Sequence, residues 1–497
     1  MGVVIKQSFW GTFIAYFGVA IGYINTLYLR PEFFSLDEIG LFTLVTANAM
    51  IISPLTTVGM NSTFIKFYPA LKDSKKLINQ FFTFQLSLIV ISNILILLIA
   101  YLNRDWIIGI FSKGTSDYSN YLTITAIIVI VNSLFDQLYA YSSSILKVIF
   151  PAFLREVFLR IGAIVLVVGY AGGYFGFEWA VKGLAINYSL VLILLFAHLI
   201  ISHKLRFDFN FSLINKNWRR KIFNFSLYSM SMAVAFAVIN NASYNQVSSF
   251  LGDAFNGIFV TCFFIGVIVE MPRRNMARVV SPLLSGSVNN GDIKYTEVLY
   301  KKSSITMAAI GALLFIGIMT NLEDLFSFIP KGPEFAKGFG VVLAVCAAKL
   351  VLMVSSFAGE IINYSKHYRY NLLFQVLAAI FLVGLNYLLL PIFGLNGVAI
   401  SYFLTIFLHS IAKNVFVQKY FHIHPFMKSH FKLLIITAIT LGVFYVFDTT
   451  LAPFYNIILR SILTTIVFTF LVYKLKISED INRILDLLIE RITSLNR

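Results

Sequence analysis

Long hydrophobic runs separated by short polar segments make up almost the whole chain. An apolar run of roughly 17 to 25 residues is long enough for a helix to cross a lipid bilayer. The pattern therefore predicts an all-α polytopic membrane protein with about 14 transmembrane helices. The first run is too long for a signal peptide, and no small-residue cleavage pattern follows it. The predicted spans are 8–29, 39–60, 80–102, 119–144, 152–173, 179–201, 223–249, 255–271, 303–320, 338–362, 371–391, 396–417, 433–450 and 455–473.

A short motif occurs twice in this pattern, as GLAINY from Gly183 and as GVAISY from Gly397. The copies are 214 positions apart, in the sixth and twelfth predicted spans, and Pro69 and Pro282 keep nearly the same interval after the second and eighth spans. Because six is an even number of helices, both copies insert the same way up, which indicates two parallel six-helix lobes. The glycine of each copy would allow close helix packing. Chance recurrence in a hydrophobic chain is the alternative.

The repeat predicts an N-lobe over 1–210 with spans 1–6 and a C-lobe over 211–430 with spans 7–12. Spans 13 and 14 follow over 431–474, and 475–497 is expected to form a cytoplasmic amphipathic helix capped by Ser478. We expect this tail to lie along the inner membrane surface, with simple anchoring as the alternative role. Two parallel lobes are the geometry of alternating access, so a transporter is the leading functional class.

Composition excludes a soluble globular protein. Hydrophobic residues make up 58% of the chain and charged residues 12%, whereas soluble domains carry about 25% charged residues. The mean hydropathy is +0.82. The two cysteines, Cys262 and Cys346, both lie in apolar runs, so neither a disulfide framework nor a metal-binding pair is expected.

Membrane topology explains the formal charge of +16. With a cytoplasmic N-terminus, 31 of the 39 Lys and Arg residues fall in cytoplasmic segments and six fall on the opposite side. Because basic residues concentrate on the cytoplasmic side of membrane proteins, both termini are expected there. The charge therefore does not indicate nucleic-acid binding.

Six segments, taken in order and with their spacing, resemble a known family. They are IKQSFWGTFIAYFGVAIGYINTLYLRPEFFSLDEIGLF, MNSTFIKFYPALKD, SSILKVIFPAFLREVFLRIG, SPLLSGSVNNGDIKYTEVLYKKS, LPIFGLNGVAISY and VQKYFHIHPF. The chain resembles the Wzx-type flippases for lipid-linked oligosaccharides (O-antigen and polysaccharide precursors, including those of lipopolysaccharide). This family lies within the multidrug/oligosaccharidyl-lipid/polysaccharide (MOP) exporter superfamily, which also holds multidrug antiporters and lipid II flippases. Some relatives carry cavity-lining arginines in the first span, whereas this chain has none before Arg30.

The resemblance implies a bacterial inner-membrane protein that moves a polyprenyl-pyrophosphate-linked glycan from the cytoplasmic to the outer leaflet. Its implied partners are membrane lipids, the lipid-linked oligosaccharide, and the polymerase and ligase machinery of polysaccharide synthesis. The family expectation for energy is counter-transport of H⁺ or Na⁺, with no cofactor and no bound metal. The sequence contains no P-loop, so ATP is not expected as a direct fuel.

Such a cargo needs a polar and locally cationic path. Asn241, Tyr244, Asn245 and Ser248 recur at helical spacing in the seventh span and form one hydrophilic stripe. A stripe of this kind facing lipid would leave its polar groups unsatisfied, so we expect it to face a cavity and contact sugar hydroxyls. Hydrogen bonding between helices is the alternative.

Ionisable residues inside spans are expensive and need a function or a partner. Lys349 is the candidate contact for the pyrophosphate, and Asp136 or Glu360 is the candidate carboxylate for ion coupling. Lys349 and Glu360 share a helix face but are too far apart along the span to pair directly. Structural salt bridges are the alternative for all three. Arg460, near the end of its span, is expected to extend towards the membrane interface.

Basic residues at the predicted cytoplasmic mouths are candidates for collecting the anionic headgroup, with a role in topology alone as the alternative. Arg273 and Arg274 could also form a gate with Glu270. The candidates are Lys66, Lys147, Arg155, Arg160, Arg273 and Arg274.

Three other functions remain open. A MATE-like multidrug antiporter would share the two-lobe plan, but a lysine in mid-span counts against a cationic substrate. A lipid II flippase differs from the leading reading mainly in the glycan moved. An integral-membrane glycosyltransferase or polymerase would need carboxylates in an outer domain, and the outer loops here are short. His422, His424 and His430 are expected to be inner-loop residues rather than a metal site.

Overall fold

The computed structural model describes residues 2–105, 109, 117–203, 205–211, 216–447 and 451–495, and every regular element in this part is a helix. Among the described residues, eleven helices are long and apolar enough to cross a membrane, or 12 if one bent pair counts as a single span. The prediction of an all-α polytopic membrane protein is confirmed. The predicted count of about 14 spans is not.

Two predicted spans contain π-helical segments and are not among these eleven helices. In the first, Ile24–Leu29 follows the opening helix, and in the fifth, Leu154–Phe158 separates two short helices. Both stretches are helical from end to end, but their backbone register changes part of the way along. A π segment rotates the side chains that follow it and is frequent at functional sites.

The chain divides into two compact units, residues 1–260 and 261–497. The boundary lies within one helix, and the predicted lobe boundary after residue 210 remains a prediction. The first unit contains α1 (Gly2–Tyr23), α2 (Arg30–Phe33), α3 (Leu36–Thr57), α4 (Met60–Phe67), α5 (Lys75–Leu102), α6 (Leu122–Ser144), α7 (Ile149–Phe153), α8 (Leu159–Ala171), α9 (Phe177–His203), α10 (Lys216–Leu251) and the start of α11 (Asp253–Val267).

The second unit begins within α11 and continues through a 3₁₀ turn, Ile268–Glu270. Its helices are α12 (Met271–Asn289), α13 (Ile293–Thr320), α14 (Leu322–Phe328), α15 (Gly332–Ala336), α16 (Phe339–Ser355), α17 (Ala358–Tyr364), α18 (Tyr368–Phe393), α19 (Leu395–Phe421), α20 (Lys428–Val446), α21 (Pro453–Lys474) and α22 (Glu479–Leu495).

Each unit packs large apolar side chains inside and leaves others on its surface. In the first unit, Phe64, Phe82 and Tyr141 are part of one buried cluster. On α5, Ile94 and Ile99 are exposed. Helices in a bilayer can expose such residues because hydrocarbon, not water, surrounds them.

The repeated glycines lie at close helix contacts, as the motif predicts. A Cβ on Gly183 of α9 would overlap the side chain of Leu166 on the preceding helix. A Cβ on Gly397 of α19 would overlap the backbone of Leu389, also on the preceding helix. Each copy of the motif thus lets its helix approach the helix before it.

The tail forms a helix whose start is fixed by polar contacts. The Ile481 N–H donates to Ser478 Oγ over 3.4 Å, so Ser478 caps α22 as predicted. Lys302 Nζ lies 2.8 Å from the Glu479 carboxylate, which holds the pKa of that carboxyl below its ordinary value. These contacts attach the start of the tail to α13.

Candidate functional site

A group of charged side chains lies in the first unit, where α6 meets the π-helical segment before α8. Arg155 Nη1 donates to Asp136 Oδ1 over 2.5 Å, and its guanidinium lies 5.8 Å from the centre of the Phe135 ring. Asp136 was predicted to couple an ion and Arg155 to collect an anion at the membrane mouth. The structure joins these two residues in one ion pair.

Two further arginines in this region have buried donors without acceptors among the described residues. Arg160 Nη2 pairs with Glu156 over 3.0 Å, but its Nη1 is buried and lacks a hydrogen-bond partner. That Nη1 lies 3.4 Å from the position a Cβ on Gly22 would take, so the missing side chain leaves room for the guanidinium. Arg30 Nε is likewise buried without an acceptor, with its guanidinium 4.7 Å from the Phe42 ring centre. Such donors raise the free energy of the fold unless a bound group supplies acceptors.

Tyr188, the last residue of GLAINY, lies among these arginines. The charges of Arg30, Arg155 and Arg160 all act on its hydroxyl. We call these four residues the arginine cluster. Its three cations face two paired carboxylates, so the region carries an excess positive charge.

The second unit contains a more deeply buried pair. Lys349 Nζ of α16 donates to Glu270 Oε2 over 2.5 Å, and their side chains are 5% and 11% exposed. Glu270 also faces Arg274 Nε at 3.6 Å. Lys349 lies 5.7 Å from the ring centre of Tyr402, the last residue of GVAISY.

The two units therefore repeat the placement of charged groups near the motif as well as the motif itself. Tyr188 and Tyr402, at equivalent places in the two motifs, each lie near cations of their own unit: partly exposed arginines near Tyr188 and the buried Lys349 near Tyr402. Asp136 and Lys349 are 213 positions apart and each forms an ion pair with a residue on another helical segment. The sign of the charge is reversed between these two positions.

A helix break in the second unit brings together two more predicted residues. α16 and α17 meet at an angle of 49°, and Ser356 between them has a φ of 50°. Arg273 of α12 donates to the carbonyl of Ser356 over 3.0 and 2.9 Å and pairs with Glu360 at 3.0 Å. Arg273 therefore satisfies a carbonyl that the break frees and also binds the candidate coupling carboxylate.

The hydrophilic stripe lies on α10, and two of its members bind other parts of the first unit. Asn245 Nδ2 donates to Asn48 Oδ1 of α3 over 2.6 Å, and Ser248 Oγ donates to the carboxylate of Asp253. Asn241 instead donates to Ala237 O of its own helix over 2.9 Å. The ring of Tyr244 packs edge-on against Phe259. Contact of this stripe with sugar remains a prediction.

Glycines bring α3 and α11 close together within the first unit. A Cβ on Gly40 would overlap the carbonyl of Asp253, and a Cβ on Gly257 would overlap the carbonyl of Leu36. Asn256 Nδ2 donates to the Gly40 carbonyl over 3.2 Å. This contact tolerates no side chain at either glycine.

The other candidates at the mouths have less buried surroundings. Lys66 is exposed, with its Nζ 3.6 Å from the ring centre of Phe225. Lys147 is exposed, and its carbonyl accepts a hydrogen bond from Ser142 Oγ. Arg274 retains 58% of its side-chain exposure. A role for these three in headgroup binding remains a prediction.

Arg460, which was predicted to extend towards the membrane interface, is held by partners of the second unit, and its position relative to the interface remains a prediction. It is 6% exposed, lies 3.1 Å from Asp324 and donates to the carbonyl of Thr320.

Within the described part of the chain, no group of three or more His, Cys, Asp or Glu residues could hold a metal ion. His430 instead contacts Ser304 Oγ at 3.0 Å.

Sequence reasoning missed two cations. It placed Arg30 on the outer side, just beyond the predicted span 8–29, but Arg30 begins α2, whose first turn tolerates Pro31. It counted Lys413 with the inner basic residues, although Lys413 lies within the predicted twelfth span, 396–417, and within α19. The position of Lys413 inside a long helix was the signal that could have identified it.

Similar folds occur in solved structures of transporters. The structure described as lipid II flippase MurJ in an inward closed conformation matches with a TM-score of 0.77 at 16% identity, over 93% of this chain and 98% of that one. An inward-facing multidrug resistance MATE family transporter of the MOP superfamily matches with a TM-score of 0.62 at 14% identity, over 83% and 94%.

A third match comes from Pyrococcus furiosus. It is a MOP superfamily transporter, described as having a binding pocket whose reverse polarity suggests a different function, with a TM-score of 0.58, 16% identity and coverage of 84% and 95%. No family model and no curated protein matches the chain. These likenesses show that the chain has the fold of MOP superfamily flippases and transporters.

Proposed function

We propose that the protein moves polyprenyl-pyrophosphate-linked oligosaccharide from the inner to the outer leaflet of a bacterial plasma membrane by alternating access. The observation that carries this proposal is the arginine cluster, in which Arg30 and Arg160 each hold a buried donor without an acceptor. Arginine presents several N–H donors in a planar fork that matches phosphate oxygens. A pyrophosphate would supply the missing acceptors and balance the excess charge.

The sign of the excess charge in the arginine cluster favours this proposal over a multidrug antiporter. A site for organic cations needs an excess of carboxylates, whereas here each carboxylate of the region is already paired with an arginine. The MATE neighbours share the fold, and their substrates do not transfer to this chain. A lipid II flippase fits the arginine cluster as well, because lipid II also carries a polyprenyl pyrophosphate. The two readings differ in the glycan.

Ion coupling by Asp136 or Glu360 would require an ion pair to open during the cycle. Each carboxylate is held by an arginine, Asp136 at 2.5 Å and Glu360 at 3.0 Å. Arrival of the pyrophosphate at Arg155 would compete with Asp136 and release it to bind H⁺ or Na⁺. In the same way, contact between Lys349 and cargo would require phosphate to replace Glu270. Both termini would be cytoplasmic, and the polymerase or ligase machinery would receive the product.

Reconstitution tests this function directly. Purified protein in vesicles would be given a fluorescent short-chain polyprenyl pyrophosphate carrying a sugar, and dithionite quenching would report the leaflet. We expect transbilayer movement without any nucleotide-sugar donor. Strict dependence on such a donor would favour a glycosyltransferase or polymerase, and movement of organic cations instead would favour a multidrug antiporter.

A matched pair of variants tests the arginine cluster in the same assay. Arg160→Met removes a buried donor and should slow movement at least about tenfold, the scale of one charge-assisted hydrogen bond. Lys182→Met, which removes a partly exposed cation paired with Glu178 on α9, should leave the rate unchanged. Equal rates for both variants would remove the arginine cluster from the cargo path.

A further inference from the structure

The π-helical segment Leu154–Phe158 affects how two residues of the arginine cluster are arranged. The Leu159 N–H donates to the Leu154 carbonyl, five positions earlier, which is the π pattern of hydrogen bonding. Arg155 and Arg160 are also five residues apart, and in an uninterrupted α-helix their side chains would point about 140° apart. Because the π pattern joins residues at this spacing, it brings their side chains close to one line.

The surroundings of the two arginines agree with this arrangement. The charges of both Arg155 and Arg160 act on the hydroxyl of Tyr188, which lies on the neighbouring helix α9. The two guanidinium groups therefore serve one region of the first unit, although each also pairs with its own carboxylate.

A buried amide of α9 bonds the backbone where the π segment ends. Asn187 is 6% exposed, and its Nδ2 donates to the carbonyl of Leu159 over 2.9 Å. This contact depends on Gly162 of α8, because a Cβ there would lie 2.2 Å from Asn187 Oδ1. The Asn187 side chain thus fixes the first residue after the π segment and packs directly on the next turn of α8.

α1 packs closely on the same segment. A Cβ on Gly18 would overlap the carbonyl of Glu156, and Gly22, four residues further on, leaves room for the side chain of Arg160. Small residues four apart let membrane helices approach closely. Two helices, α1 and α9, therefore hold the π segment through contacts that leave no room for added side-chain atoms.

The second copy of the motif lacks this contact. Ser401 of GVAISY takes the place of Asn187 in GLAINY. Its Oγ donates to the Gly397 carbonyl of its own helix over 2.8 Å. The helix before it, Tyr368–Phe393, is α-helical throughout. The amide thus occurs in the copy whose preceding helix carries a π segment, and a shorter hydroxyl occurs in the other.

Two arginines in line suit a ligand with two phosphate groups. The guanidinium fork of an arginine can bind two oxygens of one phosphate. Arg155 and Arg160 could therefore each bind one phosphate of a pyrophosphate. A monophosphate offers a single group to both arginines and gains less from their alignment.

We propose that Asn187 is a positioning residue that holds the π register, so that Arg155 and Arg160 act together on a pyrophosphate and select it over a monophosphate. This rests on the proposed function and deepens it, because it assigns selectivity for the diphosphate linkage to a contact remote from the phosphate itself.

The test compares two lipids on the full-length protein in nanodiscs. Both carry the same short polyprenyl chain and the same sugar, joined through two phosphates in one lipid and through one in the other. We expect the wild-type protein to bind the pyrophosphate lipid at least about tenfold more tightly, the scale of one charge-assisted hydrogen bond. Asn187→Ser, which gives the first motif the residue of the second, should reduce this ratio about fivefold, the scale of one hydrogen bond.

Gly162→Ala provides an independent variant. Its methyl group should displace the flexible Asn187 amide from the Leu159 carbonyl and lower the same ratio. The control is Ser401→Ala, which removes a motif side chain that bonds its own helix and should keep the wild-type ratio. A ratio of two affinities does not depend on the amount of folded protein, so a loss of stability alone would leave it unchanged.

The outcomes separate this inference from the proposed function. A wild-type ratio that survives in both Asn187→Ser and Gly162→Ala, or that falls equally in Ser401→Ala, would overturn the role of Asn187. Equal binding of both lipids by the wild-type protein would overturn the selectivity while the pyrophosphate lipid could still be cargo. If the wild-type protein binds neither lipid, the proposed function fails as well.

Discussion

A charge buried in a membrane helix has to find a partner, and the partner decides what removing it does. Lys349 and Glu270 form a deeply buried ion pair in the second unit. Their surroundings are unequal, because Glu270 has a second cation in Arg274 whereas the other neighbour of Lys349 is the ring of Tyr402. The two single substitutions should therefore differ.

Glu270→Gln should destabilise the protein more than Lys349→Met does. The first leaves a buried ammonium without a carboxylate, a change worth about 3 to 5 kcal/mol. The second leaves a carboxylate that Arg274 still faces at 3.6 Å. Thermal unfolding in detergent by intrinsic fluorescence would measure the order, with the double variant expected to be more stable than Glu270→Gln. A larger loss for Lys349→Met would contradict this account of the pair.

At the residue scale, the sequence located the charged positions within the spans. It did not predict their partners. Asp136, Glu360 and Lys349 stand out because a charge in an apolar run is conspicuous. Their partners, Arg155, Arg273 and Glu270, come from other helical segments and were assigned to membrane mouths. One-dimensional spacing identifies neighbours on the same helix only, so pairing across helices needed the structure.

At the scale of elements, hydropathy locates a helix but does not show where it breaks. The tenth predicted span, 338–362, reads as one run, yet the helix breaks at Ser356. The break is tolerable because Arg273, from α12, donates to the carbonyl of Ser356. The stabilising group lies 83 positions away along the chain, so no local pattern could have indicated it.

The glycine contact between α3 and α11 gives a prediction at this scale. Gly40→Val places a side chain against the Asp253 carbonyl and should force the two helices apart. Spin labels on cysteines at Asp37 and Phe255, in a background lacking both native cysteines, would report longer distances by electron–electron double resonance. If alternating access requires this contact, lipid movement in vesicles should also slow.

The control for this experiment is Gly384→Val, because a Cβ at Gly384 meets nothing within 4 Å. It should leave both the label distances and the transport rate as in the wild-type protein. Unchanged distances in Gly40→Val would show that the helices accommodate the side chain, and the contact would then not be a constraint on conformation.

At the scale of the whole molecule, the repeat was visible in the sequence, but its chemistry was not. Two copies of one motif 214 positions apart indicated a duplicated helical plan. The structure adds that Tyr188 and Tyr402 each lie near cations of their own unit. Positive charge in both units is the property expected of a carrier for an anionic headgroup. It also sets how transport should respond to voltage.

Outward movement of an anionic headgroup should be driven by an inside-negative membrane potential. A potential of 100 mV is worth about 2.3 kcal/mol per charge, roughly a 50-fold change in the ratio between leaflets. Vesicles with a potassium gradient and valinomycin, loaded with the fluorescent pyrophosphate lipid, should accumulate it in the outer leaflet at inside-negative potential and in the inner leaflet at the opposite polarity. Vesicles without protein are the control. No response to either polarity would contradict net charge transfer and would leave electroneutral exchange with H⁺ or Na⁺ as the coupling.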